Sequence, residues 1–337
     1  MSDGRYGPQL VALFGIRFDL RNPTFAGTTM AERYNAALDM ATWADDNGAA
    51  LAIVSEHHGS DDGYLPSPLT FAAAIAARTK RIHINVAAII APFYDPLRLA
   101  EDAAVVDLIS EGRLSLVLAN GYVPSELAMF DVPSAERAAR TMAAIDVLRQ
   151  AWTGEPFEHR GRMVRVTPTP HQPGGPQINL GGSTAVVARR AARLGLGFWP
   201  STPGVWGAYR DEVVERGGRD PGPYLGGEAG FLHVATDPDA AWNAIAPYAL
   251  HEANSYGRWA VEAGMEDAAS YHLATDPDEL RRSGQYRVLT PAALVAELQT
   301  AGPMTYFGLH PLMGGIPPAL GWESLQLVER EVLPRLH

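Results

Sequence analysis

LAIVSEHHGSDDGYLPSP, residues 51–68, is the stretch on which the fold turns. Its first half is a short apolar run ending in adjacent histidines, His57 and His58. Its second half is a loop of acids, Gly and Pro from which Ser67–Pro68 opens a helix. Proline suits the first helical position, where its missing N–H is not needed. A buried strand that runs through a polar loop into a helix is the repeating unit of α/β proteins. In a closed barrel of such units, chemistry collects where strand ends feed the loops.

The same unit recurs on both sides of this stretch. VALFGIRFD (11–19) precedes a helix at about 30–47, with Thr29 and Glu32 at capping-box spacing. RIHINVAAII (81–90) leads into the helix opened by Asp95–Pro96, with Leu97, Ala100, Ala104 and Leu108 on its inner stripe. RLSLVLANGY (113–122) leads into a helix at about 134–152. EPFEHRGRMVRVTPTPHQPGGP (155–176) breaks the rhythm and reads as a surface hairpin with a Pro/Gly-rich return. The beat resumes with QINLGGS (177–183), LGFWPS (196–201), GFLHVAT (230–236) and MTYFGLH (304–310). Residues 237–288 exceed one crossover helix and are expected to add a cap. Eight near-continuous apolar strands, each leading into helix, predict a parallel sheet covered on its outside. Right-handed crossovers at this count favour closure into a TIM-like (β/α)8 barrel, residues 1–337 forming one domain. No dinucleotide fingerprint follows the first strand, which disfavours an open doubly wound sheet.

Composition limits the function classes. The chain has 337 residues, 47% of them hydrophobic, so a large core is available. Lys and Arg number 27 against 38 Asp and Glu, a net charge of −11 that argues against nucleic acid or an anionic membrane as partner. With no cysteine, disulfides, thiolate metal sites and Cys nucleophiles are excluded. The N-terminus MSDGRYGPQL has no apolar leader region, and no segment approaches about 18 uninterrupted apolar residues, so a cytoplasmic protein is expected.

Several residues could carry chemistry. Successive strand side chains point to opposite faces, so His57 and His58 do not readily chelate one ion, and no metal site is expected. INLGGST (178–184) ends a strand with Gly181 and Gly182 and opens a helix with Ser183 and Thr184. Such a turn lets backbone N–H groups approach a phosphate, although a Gly-rich turn with a Ser cap has the same sequence. Asn120-Gly121-Tyr122 ends the fourth strand, and Arg137 near the next helix start could reach that phosphate or stand solvated. Ala87 and Ala88 leave room for a flat ring or simply fill core. Trp199 and His310 are candidates for a substrate pocket. Trp206, Tyr248, His251, Tyr256 and Trp259 form an aromatic reserve around the later loops.

These pieces, in this order, resemble the bacterial luciferase-like flavin-dependent monooxygenases. The resemblance is carried by EHH (56–58), NVAAII (85–90), DPLRLAEDAAVVDLISEGR (95–113), NGY (120–122), the Arg137 helix ending VLRQAWTG (147–154), and LGGST (180–184). It implies a TIM-like barrel that binds reduced FMN, or the deazaflavin F420, at its C-terminal mouth. It places His57 as the catalytic histidine, Ala87–Ala88 at a non-prolyl cis peptide against the ring, and Gly182, Ser183, Thr184 and Arg137 around the phosphate. Where light-emitting members carry Cys and Arg, this chain has Ala119 and Asn120. The resemblance further implies a flavin reductase, or an F420-reducing dehydrogenase, as supplier of reduced cofactor to a small-molecule oxidoreductase. A homodimer paired through helices around the second and third strands is expected. The contrasting reading is a silent partner subunit of a luciferase-like heterodimer, which the retained His57 and LGGST turn oppose.

Overall fold

Seven of the eight expected strands join in one curled, wholly parallel ladder. The computed structural model describes residues 11–224, 226, 230–266, 271–301 and 304–336. The N-terminal segment 1–10, in which the sequence shows no apolar leader region, lies outside them, as do residues 225 and 227–229 and, within the expected cap, 267–270.

In chain order the elements are β1 (Val11–Phe18), α1 (Met30–Asp46), β2 (Leu51–Val54), α2 (Pro68–Arg78), β3 (His83–Ile90), α3 (Pro96–Ser110) and β4 (Leu114–Ala119). Next come α4 (Pro124–Met129), α5 (Arg137–Ala151), β5 (Phe157–His159), β6 (Arg162–Val164), β7 (Gln177–Gly182), α6 (Ala185–Arg193), β8 (Gly197–Pro200) and α7 (Trp206–Glu215). The chain ends with β9 (Phe231–Val234), α8 (Pro238–Glu262), α9 (Pro277–Arg282), β10 (Tyr286–Leu289), α10 (Pro291–Thr300), β11 (Met304–Leu309) and α11 (Pro318–Leu327). The large sheet runs β11-β1-β2-β3-β4-β7-β8, and β5 and β6 form an antiparallel hairpin.

Two sequence expectations change. The 230–236 strand does not join the large ladder; it pairs in parallel with β10, which lies inside the stretch expected to be cap. Tyr286–Leu289 is a short run interrupted by Arg287 and set between helical segments, so no continuous apolar stretch marks it as a strand. Among the described residues the ladder is therefore seven-stranded, with β9 packed beside β11 and its Val234 N–H donating to Ser324 Oγ of α11 at 2.8 Å. The α3 stripe is also rotated. Leu99, Ala100, Ala103, Ala104 and Val106 are buried while Leu108 is 40% exposed. Buried Asp107 sets the rotation by accepting the backbone N–H and side-chain amide of Gln172 at 2.8 and 2.7 Å.

Period-two alternation explains the division of labour along β1. Phe14, Ile16 and Phe18 face the helices, where Phe14 meets Trp43 of α1 and Phe18 meets Phe71 of α2 edge-on. Each such buried side chain contributes about 1.5–3 kcal/mol. Gly15, Arg17 and Asp19 take the opposite, concave face. A Cβ on Gly15 would sit 2.3 Å from Tyr306 Oη, so glycine there admits the tyrosine to the interior. Helix starts follow the sequence: Thr29 and Glu32 form the expected capping box, and Asp95 accepts from Leu97 N–H at 2.9 Å.

Candidate active site

Parallel pairing brings the C-terminal ends of the strands to one edge, where β1, β2, β3, β4, β7, β8 and β11 deliver Asp19, His57, Ala88, Asn120, Ser183, Trp199 and His310 or their neighbours. The proposed site residues thus share one rim. They do not all touch.

His57 is buried just past β2. Its Nδ1 lies 2.8 Å from Glu126 Oε1 of α4, a carboxylate that also accepts His58 N–H at 3.0 Å. A carboxylate only accepts, so Nδ1 carries the proton and Nε2 keeps its lone pair. The ring stacks on Trp259 of α8 at 4.1 Å and meets Tyr64 and Tyr122 edge-on at 4.8 and 6.1 Å. Burial lowers the His57 pKa; Glu126 works against that shift but does not overcome it. His57 is consequently neutral at neutral pH, able to accept a proton on one nitrogen while Glu126 orients the other.

His58 turns to the other side. Its Nε2 lies 2.7 Å from Glu56, which also accepts Tyr94 O–H and Ile90 N–H, both at 2.8 Å. Glu56 thereby fastens the end of β3 to the end of β2. The two histidines have different carboxylate partners, as alternation required.

A charged cluster fills the adjoining rim. Arg21 donates to Asp62 at 2.6 Å, and Asp62 also meets His251 Nε2 at 2.7 Å. The Arg21 guanidinium lies 4.7, 5.0 and 4.9 Å from the rings of Tyr64, Tyr256 and Trp259. Burial would raise the Asp62 pKa, yet His251, Arg21 and Ser60 hold it below the usual carboxylate range. Beside it, Asp19, Glu252 and His310 each place one potential ligand atom within 4.8 Å of the others. His310, a pocket candidate in the sequence, thus has acidic neighbours, but Arg21 Nε stands 3.8 Å from Asp19, and this fixed positive charge opposes a second cation. Burial pushes His310 down to about 3 and, with Asp19 nearby, raises Glu252 to about 7.

The other side of this rim is lined by smaller residues, several of them partly exposed. The Ala87–Ala88 peptide is cis, the β3–β4 register skips between Ala87 and Ile89, and both alanines are partly exposed. Asn120 Oδ1 is buried without a partner among the described residues, and Gly121, at φ +72°, has no room for a Cβ beside Ile90. Arg137 opens α5 and donates to Gly121 C=O at 2.9 Å, so it buttresses the β4 turn. Gly181 and Gly182 have packing reasons of their own, since Cβ atoms there would meet Val117 at 3.0 Å and Val187 at 2.6 Å. Ser183 is partly exposed, and Thr184 caps α6 by accepting Val187 N–H. Trp199 pairs in register with Gly181 and is partly exposed at the same edge.

Sequence reasoning missed Glu126, Arg21, Asp62 and Tyr64. Two signals were available. Polar residues at 17, 19 and 21 alternate with apolar ones at and just past the end of β1, and Glu252, Tyr256 and Trp259 recur at helical spacing on α8. Glu126 had none, being 69 residues from His57 on a six-residue helix.

A family model described as luciferase-like monooxygenase matches residues 14–305. Among curated relatives, the oxygenase component of the flavin-dependent trigonelline monooxygenase of Acinetobacter baylyi is 30% identical over 43% of this chain and 41% of its own. The F420-dependent glucose-6-phosphate dehydrogenase of Nocardia farcinica is 25% identical over 89% and 93% of the two chains. The crystal structure of monooxygenase RslO1 from Streptomyces bottropensis superposes with a TM-score of 0.74 at 25% identity, covering 96% of this chain and all of that one. The chain spans between 32% and 51% of the length of the first curated relatives it matches.

Proposed function

This chain belongs to the luciferase-like monooxygenase family, and from that premise we propose that it is the oxygenating component of a two-component FMN-dependent monooxygenase acting on a small organic molecule. One observation carries the reading: a neutral, Glu126-oriented His57 walled by aromatic rings shares a strand-end rim with the α6 turn. We read the sheet with β9 and β10 as the wall of a single (β/α)8 barrel domain, and α8 as its cap.

The residues present fit a flavin. Ala87, Ala88, Gly121, Gly181 and Gly182 make a floor of small groups beside the buried, unpartnered Asn120 Oδ1. The first turn of α6 presents backbone N–H groups that have no acceptor within the helix. Ser183, Thr184 and the α6 turn would hold the phosphate. Arg137 would act through the β4 turn it braces, and Asn120 and Tyr122 would line the ring edge. Bound reduced flavin supplies two electrons to dioxygen for oxygen insertion. His57 Nε2 accepts or returns a proton, Glu126 keeps the imidazole in one tautomer, and the Tyr64–Tyr122–Trp259 wall excludes water. Trp199 and His310 flank the space left for substrate.

A second reading, hydride transfer with F420, is favoured by the Nocardia relative that spans nearly the whole chain. A flavin reductase, or a dehydrogenase that reduces F420, would supply the cofactor. A homodimer is supported by the exposed Val105, Leu108 and Ile109 on α3. No helix among the described residues is long and apolar enough to cross a membrane, which agrees with the cytoplasmic location we propose. Fluorescence titration of the purified chain tests the assignment: saturable FMN binding is expected, saturation by F420 alone selects the second reading, and binding of neither restores the silent-subunit reading.

A further inference from the structure

Arg17 is a cation left over. It projects from β1 onto the concave face of the sheet, is partly exposed there, and has one hydrogen-bond partner among the described residues, the Tyr256 hydroxyl at a long 3.4 Å. Its Nε is buried without a partner among those residues. Arg21, four residues on, shows the contrast: Asp62 at 2.6 Å and Asp19 at 3.8 Å balance its charge. No carboxylate oxygen among the described residues pairs with Arg17 in this way. A guanidinium cannot shed its proton, so an unpaired one inside a protein is costly unless a ligand supplies the counter-charge. Along the same level of the sheet, Arg17 registers with Ile53 and Ile53 with Asn85, whose Nδ2 is also buried and unpartnered. That level therefore holds two donors without acceptors. The α6 turn proposed for the cofactor phosphate begins at the end of β7, four strands from β1.

We infer that the substrate taken at this mouth carries a carboxylate, and that Arg17 is the residue that holds it. One free guanidinium with a planar fork of donors suits a singly charged, planar acceptor. The Tyr64–Tyr256 hydroxyl pair, 2.9 Å apart, borders this position, and Tyr256 lies 5.7 Å from the His57 ring. An acid anchored at Arg17 therefore presents the rest of its skeleton toward His57. The inference rests on the oxidoreductase reading of the rim, and adds to it the substrate class and the residue that selects it.

Calorimetric titration of the full chain with three acid–amide pairs tests it: benzoate and benzamide, hexanoate and hexanamide, glutarate and glutaramide. At least one acid should bind about tenfold or more tighter than its amide. Arg17→Met should abolish that preference, Arg17→Lys should keep part of it, and FMN affinity should be unchanged in both. Thermal unfolding without ligand gives an independent readout. Removing a partly buried cation that has no carboxylate partner should leave Arg17→Met as stable as the parent or more so, whereas a structural ion pair would make it less stable. Equal binding of acids and amides in all three pairs, retained preference in Arg17→Met, or a marked loss of its stability overturns the inference. Failure of FMN and F420 to bind the parent chain would instead strike the functional reading, so the two failures are distinct.

Discussion

The two halves of the rim solve opposite problems. Around His57 the polar groups are mostly paired inside the chain: Glu126, Asp62, His251 and Arg21 meet at 2.6–2.8 Å behind a wall of Tyr64, Tyr256 and Trp259. Around the α6 turn the residues are small and partly exposed, with Thr184 Oγ1 accepting Val187 N–H at the helix start. On the proposed reading the first region fixes a proton's position and the second receives the cofactor. Their contrast predicts that substitutions in the well disturb chemistry and stability, while those at the turn disturb binding.

The largest expected effect is on turnover. His57→Ala should lower it about 10²–10⁴-fold with FMN affinity preserved, measured by stopped-flow and by titration. Undiminished turnover would take His57 out of the chemistry and dissolve the distinction. Next comes Arg21→Met, which strands Asp62 within the well and should cost about 3–5 kcal/mol in urea unfolding. Arg137→Met on the open side loses one bond to a carbonyl and should cost about 1 kcal/mol. Equal losses would show the well to be no more self-contained than the turn.

Acid should act on the well in a predictable sense. Burial holds His310 at about 3 and His233 at about 4, and holds His57 low, against an ordinary 6.5. Unfolding lets each take up a proton below pH 6.5, so stability falls as pH drops from there, by up to about 1.4 kcal/mol per unit for each histidine. Glu252, raised from 4.5 to about 7, works in the opposite sense between those values and offsets about one of the three. Urea midpoints from pH 7 to 4 should therefore decline, and His310→Gln should flatten the decline. A rising midpoint would contradict the burial argument. The smallest effect belongs to the turn: Thr184→Ala should remove about 1 kcal/mol of helix capping and weaken FMN several-fold, read by fluorescence titration.

Much of this molecule was legible beforehand. Strands of six or more residues with strong apolar runs stood out, as did helix starts with a capping box or an X-Pro step. β10 did not, because Arg287 interrupts its short apolar run and it lies within a stretch whose helical signals dominate. His57 was legible because the strand–loop–helix rhythm placed it at a strand end. Glu126 was not, since nothing local marks a six-residue helix as the partner of a residue 69 positions away.

Alternation and punctuation along the chain, which are one-dimensional properties, sufficed to set which segments pair, which face of each is apolar, and which residues arrive at the rim. The partners those residues find there were decided only by folding. Whether Arg21 is neutralised and Arg17 is not depends on where Asp62 and α8 come to rest, and distance in space between buried charges has no counterpart in their spacing along the chain.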